Sequence, residues 1–221
     1  MVLRDQGFKY LDSQLSYQKC EFAEIDSVIG LFGGTFDPIH NGHLSVMEKI
    51  FKEIDMEEIF VVPAGNPYMK TEISTSADER FKMVELALEN EARLSISDME
   101  IKRFGPSYTL DTFKAIQLIR PGEEVVVIMG LDAVLMIPKW DYPKEFINSC
   151  KIIAITRENI KVTEIAKLSG QYKNADILLL TIETPNISST EIRECILQGR
   201  EFRHMLPEKV ADYIVEHNLY L

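Results

Sequence analysis

Two histidines three residues apart, His40 and His43, stand inside the run Gly33-Gly34-Thr35-Phe36-Asp37-Pro38-Ile39-His40-Asn41-Gly42-His43. A spacing of three puts both imidazoles on one side of a helical turn. Adjacent glycines let backbone N–H groups approach an oxyanion with no Cβ in the way. Imidazole donors beside such a turn suit phosphate chemistry. Two other readings compete: a pair of capping or surface histidines, and a metal pair. A metal site needs a third ligand, and the remaining histidines, His204 and His217, lie far along the chain. The run holds neither GxGxxG nor GK[ST], so neither a dinucleotide fingerprint nor a Walker loop is indicated. Phosphate contact is favoured.

A second anion-seeking group is Ile187-Ser188-Ser189-Thr190-Glu191-Ile192-Arg193. Three hydroxyl residues at a helix start, followed one turn later by a guanidinium, can surround a phosphate. Taken alone, the commoner explanation is an ordinary Ser/Thr cap with a solvated arginine.

The elements that must position these groups are legible as a pattern. Short apolar runs predict strands at Val28 to Phe32, Ile59 to Val62, Leu94 to Ile101, Val125 to Met129, Ile152 to Thr156 and Ile177 to Thr181. Most are continuous apolar blocks, as parallel strands covered on both faces require. The third alternates, with Leu94 and Ile96 against Ser95 and Ser97, and is expected at an edge. Between them lie helical stripes: Leu44 to Ile54, Phe81 to Leu88 behind a Ser76/Glu79 capping box, Leu110 to Ile119, and the weaker Val162 to Leu168. Ile192 to Leu197 and Val210 to Val215 make a helical C-terminal segment. Strands alternating with helices predict an α/β fold, a doubly wound parallel Rossmann-like sheet with helices on both faces. The histidine turn then falls at the carboxyl edge of the first strand, where such sheets bind ligands. Residues 1–26 show no clear period and read as an N-terminal extension, either a short docking helix or a tail. Residues 27–221 read as one domain.

Composition excludes several classes. The chain of 221 residues has 35 Asp and Glu against 24 Lys and Arg, a net charge of −11. That excess repels phosphodiester backbones and argues against nucleic acid as a general partner. Three cysteines, Cys20, Cys150 and Cys195, form no CxxC pair, which fits reduced thiols in a cytoplasm. No apolar run approaches the roughly 18 residues of a membrane span, and no apolar stretch resembling a secretory signal opens the chain.

The run GGTFDPIHNGH resembles the signature of the nucleotidylyltransferase superfamily that carries an HxGH motif. Within it the chain is similar to bacterial nicotinate-nucleotide adenylyltransferases, from about Val28 to Leu221. The resemblance implies transfer of AMP from ATP to nicotinate mononucleotide, with Mg2+ carried on the ATP phosphates. It also turns 187–193 into an ISSTxIR motif, which the family uses to hold ATP phosphates. By the same resemblance Gly33, Gly34, Thr35, Phe36, His40, His43, Ile187, Ser188, Ser189, Thr190 and Arg193 would bind ATP, with His40, His43 and Arg193 catalytic. Lys70, Tyr108, Thr109, Gly130, Asp132, Trp140 and Arg157 would serve the acceptor or its phosphate. Departures cluster at the pocket rim: Tyr68 and Met69 replace a Pro and a His, and Thr156-Arg157-Glu158-Asn159 replaces a more usual Arg-Pro-Gly. Nicotinamide mononucleotide and phosphopantetheine stand as alternative acceptors, and a non-catalytic nucleotide-binding module as a different class. A homo-oligomer is left open.

Overall fold

In the computed structural model the described residues are 3–5 and 8–12 for the backbone, then 28–69, 73–156, 172 and 175–221. The helix expected over Val162 to Leu168 lies outside them. The described residues group into two compact units interleaved along the chain: Met1–Phe32, Lys49–Glu57 and Phe113–Glu183 in the first, Gly33–Glu48, Glu58–Thr112 and Thr184–Leu221 in the second.

The first unit is built on strands β1 (Leu3–Asp5), β2 (Phe8–Asp12), β3 (Val28–Gly34), β6 (Glu124–Gly130), β7 (Lys151–Thr156) and β8 (Asp176–Thr181). β3 pairs parallel with β6 (Phe32 opposite Ile128), β6 with β7, and β7 with β8. The cause is visible in the sequence. Val125 to Met129, Ile152 to Ile155 and Ile177 to Leu180 are all buried, so each strand has apolar cover on both faces and little reason to alternate. Such burial contributes about 25 cal/mol per Å² of apolar surface removed from water. The 1–26 segment, expected as a helix or a tail, supplies strands instead. β2 lies parallel to β8 in register Phe8 to Ile177 through Asp12 to Thr181, and β1 folds back antiparallel on β2. A row of backbone groups along β8 needs a partner, and Phe8, Tyr10 and Leu11 are residues that strands accept well.

The second unit takes up the last residues of β3 and adds β4 (Glu58–Pro63) and β5 (Leu94–Ile96), which pair in parallel. Just beyond β4 the Ala64 N–H donates to the Gly34 carbonyl at 2.8 Å. Parallel strands joined through helices make this an α/β Rossmann-like fold. The expected edge strand at 94–101 stops early. After Ile96 the chain turns into α3 (Met99–Lys102), where Lys102 pairs with Asp98 at 2.6 Å.

The helices are α1 (Asn41–Glu53), α2 (Ala77–Leu88), α3, α4 (Thr109–Ile119), α5 (Leu131–Met136), α6 (Pro143–Ser149), α7 (Ser189–Leu197) and α8 (Glu208–Glu216). α2 opens as its capping box predicts, with Ser76 Oγ accepting from the Glu79 N–H at 3.2 Å. Tyr213 of α8 donates its hydroxyl to Glu79 at 2.6 Å, tying α8 to α2.

Ile153 on β7 is wholly buried. Ile153→Ala is expected to cost about 2–5 kcal/mol in urea unfolding. A loss below about 0.5 kcal/mol would mean that β7 is not packed on both faces.

Candidate active site

The histidine turn leaves β3 and enters α1 through residues that hold one another. Phe36 is buried at a positive φ of 51°. Its ring lies so close over Gly34 that a Cβ there would sit 2.7 Å from Cζ, and any side chain at 34 would force the buried ring to shift. The same ring meets His43 edge-on, with centroids 5.1 Å apart. His40 and His43 stack at 3.7 Å with their planes 25° apart. The His40 carbonyl accepts the His43 N–H at 2.8 Å and starts the helix. The His40 N–H in turn donates to His43 Nδ1 at 3.2 Å. Since Nδ1 is an acceptor there, a neutral His43 carries its proton on Nε2. Gly42 completes the turn, because a Cβ at that position would stand 2.9 Å from His40 Nδ1.

The hydroxyl–arginine segment meets this turn within the same unit. Ser189 Oγ donates to the Pro38 carbonyl at 2.9 Å, and Arg193 Nη1 donates to the Asp37 carbonyl at 2.8 Å. Ser188, by contrast, is an ordinary N-cap whose Oγ accepts the Glu191 N–H at 3.1 Å. Thr190 Oγ1 lies 3.5 Å from Arg193 Nη2. The Ile187 carbonyl faces Gly42, 3.6 Å from where a Cβ would be. The N-termini of α1 and α7 therefore share one site, each adding first-turn amides that have no partner inside their own helix.

Below the turn lies a buried cation. Arg80 of α2 has no exposed surface. Its Nη1 donates to the Thr35 carbonyl at 2.6 Å and its Nη2 to the Gly65 carbonyl at 3.3 Å. Burial pulls the guanidinium below its ordinary range, while Asp37, Tyr220 and Glu100 oppose that shift.

A strap from Ala64 to Tyr68 links the histidine turn to the start of α4. It hangs from Gly34 at one end, and at the other Asn66 exchanges hydrogen bonds with Ser107: Ser107 N–H to Asn66 O at 2.9 Å, Asn66 N–H to Ser107 Oγ at 3.0 Å. Tyr68, one of the rim departures, rests against Tyr108 with ring centroids 4.8 Å apart. Tyr108 and Thr109 are half-buried at the opening of α4. Glu100 supports them from below. It is buried, accepts the Thr112 hydroxyl at 2.5 Å, and has Arg103 4.0 Å away. Burial raises the Glu100 carboxyl above its ordinary value, against the lowering effect of the Thr112 and Ser107 hydrogen bonds and of Arg103.

Three predicted acceptor residues belong to the first unit. Gly130 ends β6 and Asp132 opens α5, with the carboxylate folded back so that a Cβ on Gly130 would lie 2.5 Å from Oδ1. Trp140 is half-buried and packs on the buried Phe146 at 5.1 Å. Lys70 and Arg157 lie outside the described residues.

Comparison with known proteins fixes the relationship. The cytidylyltransferase-like family matches residues 31–195. A Dehalococcoides mccartyi protein named "Probable nicotinate-nucleotide adenylyltransferase" is 38% identical over 196 residues, 86% of this chain and 96% of its own. A Clostridium botulinum protein of the same name is 39% identical over 196 residues, 86% and 97% of the two chains. The chain belongs to the nicotinate-nucleotide adenylyltransferase family. The fold agrees: the Plasmodium falciparum nicotinic acid mononucleotide adenylyltransferase complexed with NaAD superposes with a TM-score of 0.73 at 24% identity, over 88% of this chain and 97% of that one.

For this adenylyltransferase-family chain, sequence reasoning did not single out Asp37, Arg80, Glu100 or Tyr220. Asp37 lay in plain view inside the motif, and a charged residue at position 80 on the apolar stripe of α2 was a usable signal. Nothing local marked Glu100 or Tyr220.

Because the folded-state value of Glu100 is raised, the stability it contributes is fully present below the ordinary value of 4.5 and is lost as pH rises through the raised one. Glu100→Gln keeps an acceptor for Thr112 and removes the charge. Its urea midpoint should therefore be flatter than that of the parent between about pH 4.5 and neutrality. Parallel curves would assign the pH dependence to other groups.

Proposed function

We propose that this chain joins ATP to nicotinate mononucleotide, giving nicotinate adenine dinucleotide and pyrophosphate at the site built on the histidine turn. The observation that carries the reading is the attachment of Arg193 and Ser189 to the carbonyls of Asp37 and Pro38. Two anion-seeking segments far apart in sequence thereby face one site. The relatives at 38% and 39% identity bear the name of the same activity, and the Plasmodium falciparum enzyme of the same fold is known complexed with NaAD and with APC.

The chemistry asks little covalent work of the protein. The acceptor's phosphate oxygen attacks the α-phosphorus of ATP. The bond from that phosphorus to the β-bridging oxygen breaks, and pyrophosphate leaves with the electron pair. A phosphomonoester with a second pKa of about 6 is already ionised near neutrality, so no general base is required. What remains is to bring two polyanions together and to stabilise charge on the α-phosphate and the leaving group.

His43 is assigned to the α-phosphate as a donor through Nε2, the nitrogen that carries the proton of a neutral ring whose Nδ1 accepts. His40, buried beneath it at 4% exposure, aligns it by stacking and adds a second donor ring. Arg193, with Ser189, Thr190 and the first-turn amides of α7, is assigned to the β- and γ-phosphates. Gly33 to Phe36 would contribute backbone donors to the nucleotide. Tyr108 and Thr109 are assigned to the acceptor, the family resemblance alone adds Gly130, Asp132 and Trp140, and Lys70 and Arg157 are assigned to phosphate charge near the reacting centre. Among the described residues no group of three or more His, Cys, Asp or Glu is placed to hold a metal ion. Magnesium is assigned to the substrate, where it would be carried by the oxygens of ATP and by water and would neutralise triphosphate charge. A cytoplasmic setting fits the buried free thiols of Cys150 and Cys195.

Pyrophosphate release should be strong with ATP plus nicotinate mononucleotide and weaker with nicotinamide mononucleotide or phosphopantetheine. Equal or greater turnover with either competitor would reassign the acceptor. His43→Ala should lower kcat about 10²–10³-fold, as loss of a transition-state donor does, with the KM for ATP within a few-fold. Steady-state kinetics in which only KM moves would remove His43 from this role.

A further inference from the structure

Asp37 does more than offer its carbonyl to Arg193. Its carboxylate is buried, at 3% exposure, and three donors converge on it. The Ser74 N–H reaches Oδ2 at 2.8 Å, the Thr75 hydroxyl reaches Oδ1 at 2.7 Å, and the Tyr220 hydroxyl reaches Oδ1 at 2.9 Å. Each distance is that of a full hydrogen bond, and a buried carboxylate needs such partners. Tyr220 comes from far away in sequence. It lies beyond α8, where the chain doubles back through Asn218 at φ 51° and Tyr220 at φ 67°. Asparagine adopts left-handed backbone readily, but at a bulky residue such as Tyr220 it persists only where the surroundings over-determine it. Here the anchor is the hydroxyl on Asp37, with Met83 Sδ 3.9 Å from the same oxygen. Burial pushes the phenol well above its ordinary value; the Thr75 hydrogen bond opposes this and Asp37 adds to it. The group therefore stays a donor across the working range of pH.

We infer that Tyr220 is a positioning residue for the phosphate site: through the Asp37 carboxylate it holds the turn whose carbonyls seat Arg193 and Ser189 and whose next residues are His40 and His43. It touches neither nucleotide nor acceptor in this role. A shift of the turn would move two imidazoles and one guanidinium together, and transition-state stabilisation depends steeply on such placement. The inference rests on the adenylyl-transfer reading for its kinetic arm only.

Tyr220→Phe keeps the ring and the backbone and deletes one O–H. It should lower kcat for pyrophosphate release about tenfold, leave the KM for ATP within about twofold and move the thermal midpoint by only a few degrees. Combined with Arg193→Lys, its effect should shrink well below the product of the two single effects, because both act through Asp37. A kcat within about twofold of the parent, or strictly multiplicative effects, overturns the positioning role. So does a lowered midpoint with kcat intact, which is what a merely structural hydroxyl would give. If the parent releases no pyrophosphate with nicotinate mononucleotide, it is the acceptor reading that falls. The test then passes to the imidazole resonances of ligand-free protein: Tyr220→Phe should shift those of His40 and His43, and unmoved resonances reject the role.

Discussion

A single peptide, Asp37 with its neighbour Pro38, takes hydrogen bonds on both its side chain and its backbone. The carboxylate accepts from Ser74, Thr75 and Tyr220, and the two carbonyls accept from Arg193 and Ser189. These donors come from the segment before α2, from α7 and from the chain beyond α8. A phosphate turn cannot be rigid by itself, since its glycines permit many conformations. Rigidity here is imported from three remote segments. Each is held in turn by ordinary packing: Met83 and Val84 on α2, Ile192 on α7, and Val210 and Ile214 on α8 are all buried.

The electrostatics follow a similar division. The chain as a whole is strongly acidic, with a net charge of −11, yet the turn is underlain by one fully buried guanidinium and faced by another. Arg80 is bonded to the Thr35 and Gly65 carbonyls, and Arg193 to Asp37. Carbonyls bonded to cations withdraw electrons from the amides joined to them, so the N–H groups of the turn become better donors to an anion. An acidic surface discriminates against long polyanions, while the two guanidiniums concentrate positive charge at the turn.

Much of this was readable from the chain alone, for identifiable reasons. The core strands declared themselves because burial on both faces leaves an unbroken apolar run, and Ser76 marked a helix start by local backbone chemistry. His40, His43 and Arg193 stood out because phosphate chemistry demands particular types at particular spacings, and the fold brings Arg193 to the Asp37 carbonyl of the histidine turn. Asp37, Glu100 and Tyr220 did not, because each matters through partners 12 to 183 residues away, and separation of that kind leaves no local period. The segment 94–101 shows the opposite error: alternation through Ser97 suggested a longer strand, but Asp98 and Lys102 pair across one helical turn and end it. The first residues gave no period because strands of three and five residues are too short to display one.

That terminal hairpin changes how the molecule meets its own kind. Without it, β8 would present an apolar six-residue strand, Asp176–Thr181, as an open border. Borders of that length invite pairing with other chains and lead towards aggregation. With β2 laid along it, the border passes to the three-residue β1, whose Arg4 and Asp5 are charged. A short charged border is a poor template, so the hairpin acts as insulation for crowded solutions as well as an extension of the sheet.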